Sequence, residues 1–121
     1  MHEFSICQAL VDAVTEEMDK IEAPRPFKLL TARVVVGTLR QVVPDILQTA
    51  YEIISKDTPA RGSSLEIVRA PTTGKCNRCG WSGEIRDVFF QCGKCGYAGI
   101  ELTGGMEIYL DNLEIVPDEQ S

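Results

Sequence analysis

Two Cys-x-x-Cys-Gly turns, Cys76-Asn77-Arg78-Cys79-Gly80 and Cys92-Gly93-Lys94-Cys95-Gly96, constrain this chain more than any other feature. Each turn presents two thiolates to a shared ion, and the glycine takes the left-handed backbone angle that the turn needs. Four sulfurs at about 2.3 Å close a tetrahedral shell and leave no position for water or substrate, so Cys76, Cys79, Cys92 and Cys95 read as ligands of a structural zinc. The twelve residues between the pairs suffice for a short hairpin, with residues 83–86 and 88–91 as its arms. The pattern is that of a zinc ribbon. A one-iron redox carrier uses similar paired turns, and a colourless, zinc-containing protein would exclude it.

A ribbon of roughly 25 to 30 residues cannot bury a sufficient core without its metal, so the remaining chain must form a second unit. At 44% hydrophobic and 25% charged residues, the composition is that of a soluble globular protein. No apolar run approaches the roughly 20 residues that a membrane crossing needs. The start, Met1-His2-Glu3-Phe4, lacks a basic stretch followed by an apolar one, which predicts a cytoplasmic protein with reduced cysteines. The net charge of -6 argues against nucleic acid, whose phosphates call for clustered Lys and Arg. From Gly74 to Gly99, Lys75, Arg78, Arg86 and Lys94 exceed Glu84 and Asp87 by two, an excess that a zinc tetrathiolate's two negative charges would cancel.

Hydrophobic periodicity organises the rest. Phe4, Cys7, Leu10, Val11, Val14, Met18 and Ile21 recur at three and four, which predicts a helix that stops by Glu22, ahead of Pro24 and Pro26. Cys7 lies in this stripe and reads as a small core residue. Residues 28–36 predict a strand with Leu30, Ala32, Val34 and Val36 on one face. Pro44 suits the first position of a second helix, whose apolar face is Ile46, Leu47, Ala50, Tyr51, Ile53 and Ile54. Residues 65–70 predict a second strand, 71–74 a linker, and 106–115 a last strand bulged at Asp111 and Asn112. The expected fold class is α+β: a small mixed three-stranded sheet with two helices, plus an inserted zinc-ribbon domain. Residues 1–73 and 102–121 would form the first domain and 74–101 the ribbon.

Catalytic constellations are scarce. The only histidine is His2, and no nucleophile elbow or phosphate-binding glycine loop occurs, so the chain does not read as an enzyme. Asp and Glu on the first helix read as a solvated face. Trp81, Phe89, Phe90 and Tyr97 would serve either as core around the metal or as a binding surface. The amine of Met1, the backbone amide and imidazole of His2, and the Glu3 amide lie close enough along the chain to form adjacent chelate rings. Such a nitrogen plane suits Ni(II) or Cu(II), although an N-terminal histidine is more often incidental. A zinc-ribbon adaptor binding protein or nucleic acid would account for the cysteines equally well, but leaves His2 without a purpose.

Blocks along nearly the whole chain decide between these readings. Met1-His2-Glu3-Phe4-Ser5, Val34-Val35-Val36-Gly37-Thr38-Leu39, Val42-Val43-Pro44, Leu47-Gln48-Thr49-Ala50-Tyr51-Glu52, Leu65-Glu66-Ile67, both cysteine pairs and Gly105-Met106-Glu107-Ile108 are present. In these the sequence resembles the HypA/HybF family of hydrogenase nickel-incorporation proteins. The resemblance implies a cytoplasmic nickel metallochaperone with structural zinc and nickel as transient cargo. Its implied partners are the GTPase HypB and the large subunit of nickel-iron hydrogenase, with urease maturation proteins for some members. By position it implies that His2 binds nickel with neighbouring backbone nitrogens, with Met1 and Glu3 in the same motif. Gly93 departs from the proline that many relatives carry after the third cysteine, a change expected to loosen that knuckle.

Overall fold

The computed structural model describes residues 2–85 and 91–118, with His2 described through its backbone alone. Its elements are α1 (His2–Lys20), β1 (Phe27–Gly37), a 3-10 turn (Thr38–Arg40), α2 (Pro44–Ser55), β2 (Ser64–Ala70), β3 (Thr73–Cys76), β4 (Ser82–Glu84), β5 (Ile100–Gly104) and β6 (Ile108–Pro117). The fold class is the α+β one expected, with two helices and a mixed three-stranded sheet in the order β2-β1-β6. The chain forms two compact units, one of Met1–Val35, Val42–Val68 and Tyr109–Ser121, the other of Val36–Gln41 and Arg69–Ile108.

In the first unit α1 buries Cys7, Leu10, Val11, Val14 and Met18, one face at three- and four-residue spacing. Burying each of the larger of these contributes about 1.5 to 3 kcal/mol. Phe4, expected in that stripe, is 49% exposed, and the place one turn before Cys7 belongs to Glu3, which is 6% exposed. The Glu3 carboxylate tolerates burial because it accepts the Val43 amide hydrogen at 3.1 Å. Val43 is the N-cap of α2 and offers no side-chain cap, and Pro44 follows with no amide hydrogen, so Glu3 supplies negative charge at that helix start. On α2 the buried residues are Leu47, Ala50, Tyr51 and Ser55, while Ile46 and Ile53 are exposed, so the face is narrower than expected. The Tyr51 hydroxyl reaches Ser63 at 2.6 Å, which satisfies a polar group in the core.

Along β1, Leu29 is buried and Leu30 is 44% exposed, whereas Ala32 and Val34 are buried. The alternation therefore slips a residue near its start, which places Leu30 off the face predicted for it. The Asp118 amide donates to Pro26 and the Gly37 amide to Glu107, so β6 runs antiparallel to β1. On β6 the exposure changes phase at Asp111 and Asn112, where two successive residues are exposed, as the bulged pattern predicts.

The second unit contains the sheet β4-β3-β5. Antiparallel β3 and β4 pair Gly74 with Gly83, and antiparallel β3 and β5 pair Cys76 with Ile100. Thr73 and Gly74, predicted as linker, thus begin a strand. The segment 83–86 overlaps β4, which pairs with β3; 86 and 88–90 lie outside the described residues, and with them the predicted pairing of the two arms. β5 was not anticipated. Elsewhere in this unit the Gly37 and Leu39 amides donate to Glu107 and Gly105 at 2.6 and 2.8 Å, and the Thr38 and Thr72 hydroxyls share a 2.7 Å hydrogen bond. A Cβ on Gly37 would fall on the Gly105 carbonyl, a backbone atom that cannot turn aside.

Gly37→Ala is therefore expected to destabilise by about 1 to 3 kcal/mol, the range for overpacking, measured by urea unfolding. Glu3 is held down to about 2 from its ordinary 4.5, first by the Val43 amide and next by its own amide. A depressed carboxylate stabilises above its unfolded value and loses that contribution as the pH falls through the folded one. Glu3→Ala should accordingly speed hydrogen exchange at the Val43 amide near neutral pH, and in the native chain this protection should fade between about 4.5 and about 2.

Candidate metal centre

The two knuckles have the same backbone construction. Gly80 and Gly96 sit at φ 81° and 77°, the left-handed region their positions require. Each turns its amide back to the first cysteine's carbonyl, Gly80 to Cys76 and Gly96 to Cys92, both at 3.1 Å. The Cys76 amide donates to Trp81 at 2.7 Å and the Cys92 amide to Tyr97 at 2.9 Å, which closes each loop on itself. Inside the loops the Arg78 and Cys79 amides point at the Cys76 sulfur at 3.4 Å, and those of Lys94 and Cys95 at the Cys92 sulfur at 3.3 Å.

The four Sγ atoms lie within 4.8 Å of one another, with Cys76 to Cys95 at 3.8 Å and Cys79 to Cys92 at 3.5 Å. A tetrahedron with metal to sulfur bonds of about 2.3 Å has edges of about 3.8 Å, so these spacings suit one ion. They are far too long for a disulfide, and all five cysteines are free. Cys76 and Cys92 are buried, Cys79 and Cys95 exposed, so each knuckle contributes one inner and one outer ligand.

Electrostatics within the cluster explain why it suits a cation. The Cys79 amide holds the Cys76 thiol below its usual range, with the Arg78 amide assisting against burial. Burial works against the Cys92 thiolate, but the Cys95 and Lys94 amides outweigh it and bring this group down to about 6. At Cys79 the Trp81 amide favours the thiolate, yet burial and the neighbouring sulfurs carry the group up to about 11. Crowded thiols divide in this way because adjacent negative charges repel, and a cation removes the conflict by taking all four as thiolates.

Aromatic residues brace the turns. The Arg78 guanidinium lies 5.5 Å from the centre of the Tyr97 ring and so ties the first knuckle to the residue after the second. The Trp81 indole lies against both Gly83 and Gly93, where an added Cβ would meet its Cζ2 at 2.7 Å. Glycine at 93 therefore makes room for Trp81, and the indole fills the space left beside the backbone. Trp81 and Tyr97 thus act as support around the cluster; Phe89 and Phe90 lie outside the described residues, as do Met1 and the His2 side chain. The sequence reading missed the role of the Glu3 carboxylate, although its spacing from Cys7 and Leu10, four and seven residues, was a signal that it shares their face.

A family model described as hydrogenase/urease nickel incorporation, metallochaperone, hypA matches residues 1–115. The chain belongs to the HypA family. It is similar to hydrogenase maturation factor HypA 2 of Bradyrhizobium diazoefficiens, 35% identical with 95% of this chain and 99% of that protein covered. Hydrogenase maturation factor HypA of Nitrosospira multiformis is also 35% identical, with coverage of 96% and 98%. Among solved structures, the solution structure of the Ni metallochaperone HypA from Helicobacter pylori superposes with a TM-score of 0.68 at 23% identity, covering 98% of this chain and 100% of that one. That likeness shows a shared fold.

Replacing Cys76 or Cys95 by Ala should release the bound metal and unfold β3, β4 and β5 while the helical unit keeps its spectrum. Four-ligand sites in small peptides contribute about 10 to 16 kcal/mol near neutral pH, more than the ribbon can replace from its own core. Metal analysis together with backbone NMR reads both parts.

Proposed function

We propose that this protein is a nickel metallochaperone that holds Ni(II) at its amino terminus and hands it on during maturation of nickel-iron hydrogenase. The observation that carries the reading is the family match, which begins at residue 1 and so includes Met1-His2-Glu3. The nickel ligands are the Met1 amine, the His2 imidazole and the backbone nitrogens of His2 and Glu3. Amides of a helix's first turn have no intrahelical carbonyl partner, and α1 starts at His2; the Glu3 amide is engaged by its own carboxylate, a contact that nickel would replace. The Glu3 carboxylate, engaged at Val43, is an anchor for this terminus and not a ligand.

Zinc is the resident ion of the four-cysteine cluster, because thiolate tetrahedra at this spacing suit it and it adds no redox chemistry. Residues 74–101 act as the zinc ribbon, and the rest of the chain as the nickel-binding domain. No helix among the described residues is long and apolar enough to cross a membrane. The protein works in the cytoplasm without chemical turnover. A GTPase of the HypB type assists, and the hydrogenase large subunit receives the ion, with urease maturation proteins as further recipients.

Each nitrogen recruited to nickel must lose or lack a proton, so affinity should fall as the pH drops through the unperturbed histidine value of about 6.5. Nickel titration of untagged protein, followed by calorimetry from neutral to mildly acidic pH, measures this. His2→Ala removes the imidazole, and one residue added before Met1 displaces the amine. Both should abolish tight nickel binding and leave zinc content unchanged. Undiminished nickel affinity in either would place the ion elsewhere, and absence of nickel binding by the native chain would favour a zinc-ribbon adaptor.

A further inference from the structure

The strand β6 ends the order β2-β1-β6, and no strand among the described residues pairs with its other side. It is ten residues long and carries no Lys, and the guards it has of the kind natural edge strands use are the irregularity at Asp111 and Asn112 and the terminal Pro117. Its apolar residues Tyr109, Leu110, Leu113, Ile115 and Val116 are all exposed or half-buried, in contrast to the buried Ala32, Val34 and Val35 of β1. Beside the strand runs a groove of about 390 Å³, with Ala13, Glu17 and Ile21 of α1 on one side and Leu110 and Leu113 of β6 on the other. The surface is thus apolar, unfinished and open to an added strand.

Charge decides what would fill it. Residues 107–118 contain Glu107, Asp111, Glu114 and Asp118 and no Lys or Arg. Across the groove Glu17 shares Lys20 with Glu16, each at 3.6 Å, so two acids divide one cation. A second copy of the chain is a poor occupant. Antiparallel pairing of β6 with itself about Asn112 and Leu113 would set Asp111 against Glu114 of the copy, and like charges directly opposite are destabilising. Each copy also carries a net charge of -6.

We propose that the outer edge of β6 docks an extended basic segment of a partner protein as an additional strand. The segment alternates apolar side chains, which enter the groove between α1 and β6, with Lys or Arg that meet the exposed acids of β6, Asp111 and Glu114. Main-chain hydrogen bonds supply affinity and the alternating side chains supply selectivity, as in other strand additions. This surface does not rest on the nickel reading, since it uses neither the terminal nitrogens nor the cysteine cluster.

The test is a titration of the full, zinc-loaded protein with a short synthetic peptide alternating Val with Lys and Arg, followed by backbone NMR. The expected result is shifts along β6 and at Ala13, Glu17 and Ile21, with slowed hydrogen exchange of β6 amides that are fast in the free protein. Asp111→Lys with Glu114→Lys, both exposed, should weaken the peptide about tenfold while the spectrum elsewhere shows the fold retained. The same peptide with Glu for Lys and Arg should not bind. Unchanged β6 amides at millimolar peptide, equal affinity for the doubly substituted chain, or self-association through β6 in place of peptide binding would each overturn the proposal.

Discussion

Four sulfurs confined within 4.8 Å of one another are the constraint on which the second unit depends. Their surroundings act unevenly, with Cys76 and Cys92 favouring the thiolate and Cys79 opposing it. The surrounding strands are short: β3 has four residues, β4 three and β5 five. Strands of that length bury little, so the ion has to supply what a hydrophobic core supplies elsewhere. The glycines at 80 and 96, the amides aimed at Cys76 and Cys92, and the Trp81 ring all serve to hold the sulfurs where one ion satisfies them.

The first unit meets a different constraint, at the start of α1. Helix ends fray unless something ties them down. Here Glu3 takes the first buried position of the α1 stripe and accepts the Val43 amide, so the second residue after Met1 is fixed against the start of α2. The same contact meets a deficit in α2, whose N-cap has no side-chain oxygen. One carboxylate thus orders α1 and caps α2. Its depressed pKa, about 2, lies well below the range where histidine titrates, so this anchor and a histidine respond to different pH windows.

Much of this was legible in the chain because the signals were local. The knuckles follow from spacing, and the ends of α1 and the start of α2 from Pro24, Pro26 and Pro44. What escaped depends on partners distant in sequence. The arm at 83–86 has the composition of a strand, but only tertiary pairing shows that β4 joins β3, and β5 lacks a pattern strong enough to announce itself. Leu30 and Phe4 are apolar by type yet exposed, because a slip in β1 and a carboxylate in α1 decide which side faces inward. Gly93 reads as a loosened turn in isolation; only the indole of Trp81 shows why a side chain there would not fit.

The two metal functions proposed for this chain call for opposite coordination, which accounts for their separate construction. A thiolate tetrahedron closed by Cys76, Cys79, Cys92 and Cys95 offers no vacant position, and an ion held there leaves only when the fold around it opens. That suits a resident ion and excludes cargo. Nitrogens at a chain terminus enclose an ion from one side only, and protonation of a single imidazole weakens the set, so the ion is open to capture by a recipient's ligands. Exchange and permanence cannot be asked of one donor set. In the proposed carrier the chain can therefore stay folded while it is emptied, because the closed sulfur site and the open nitrogen site are separate.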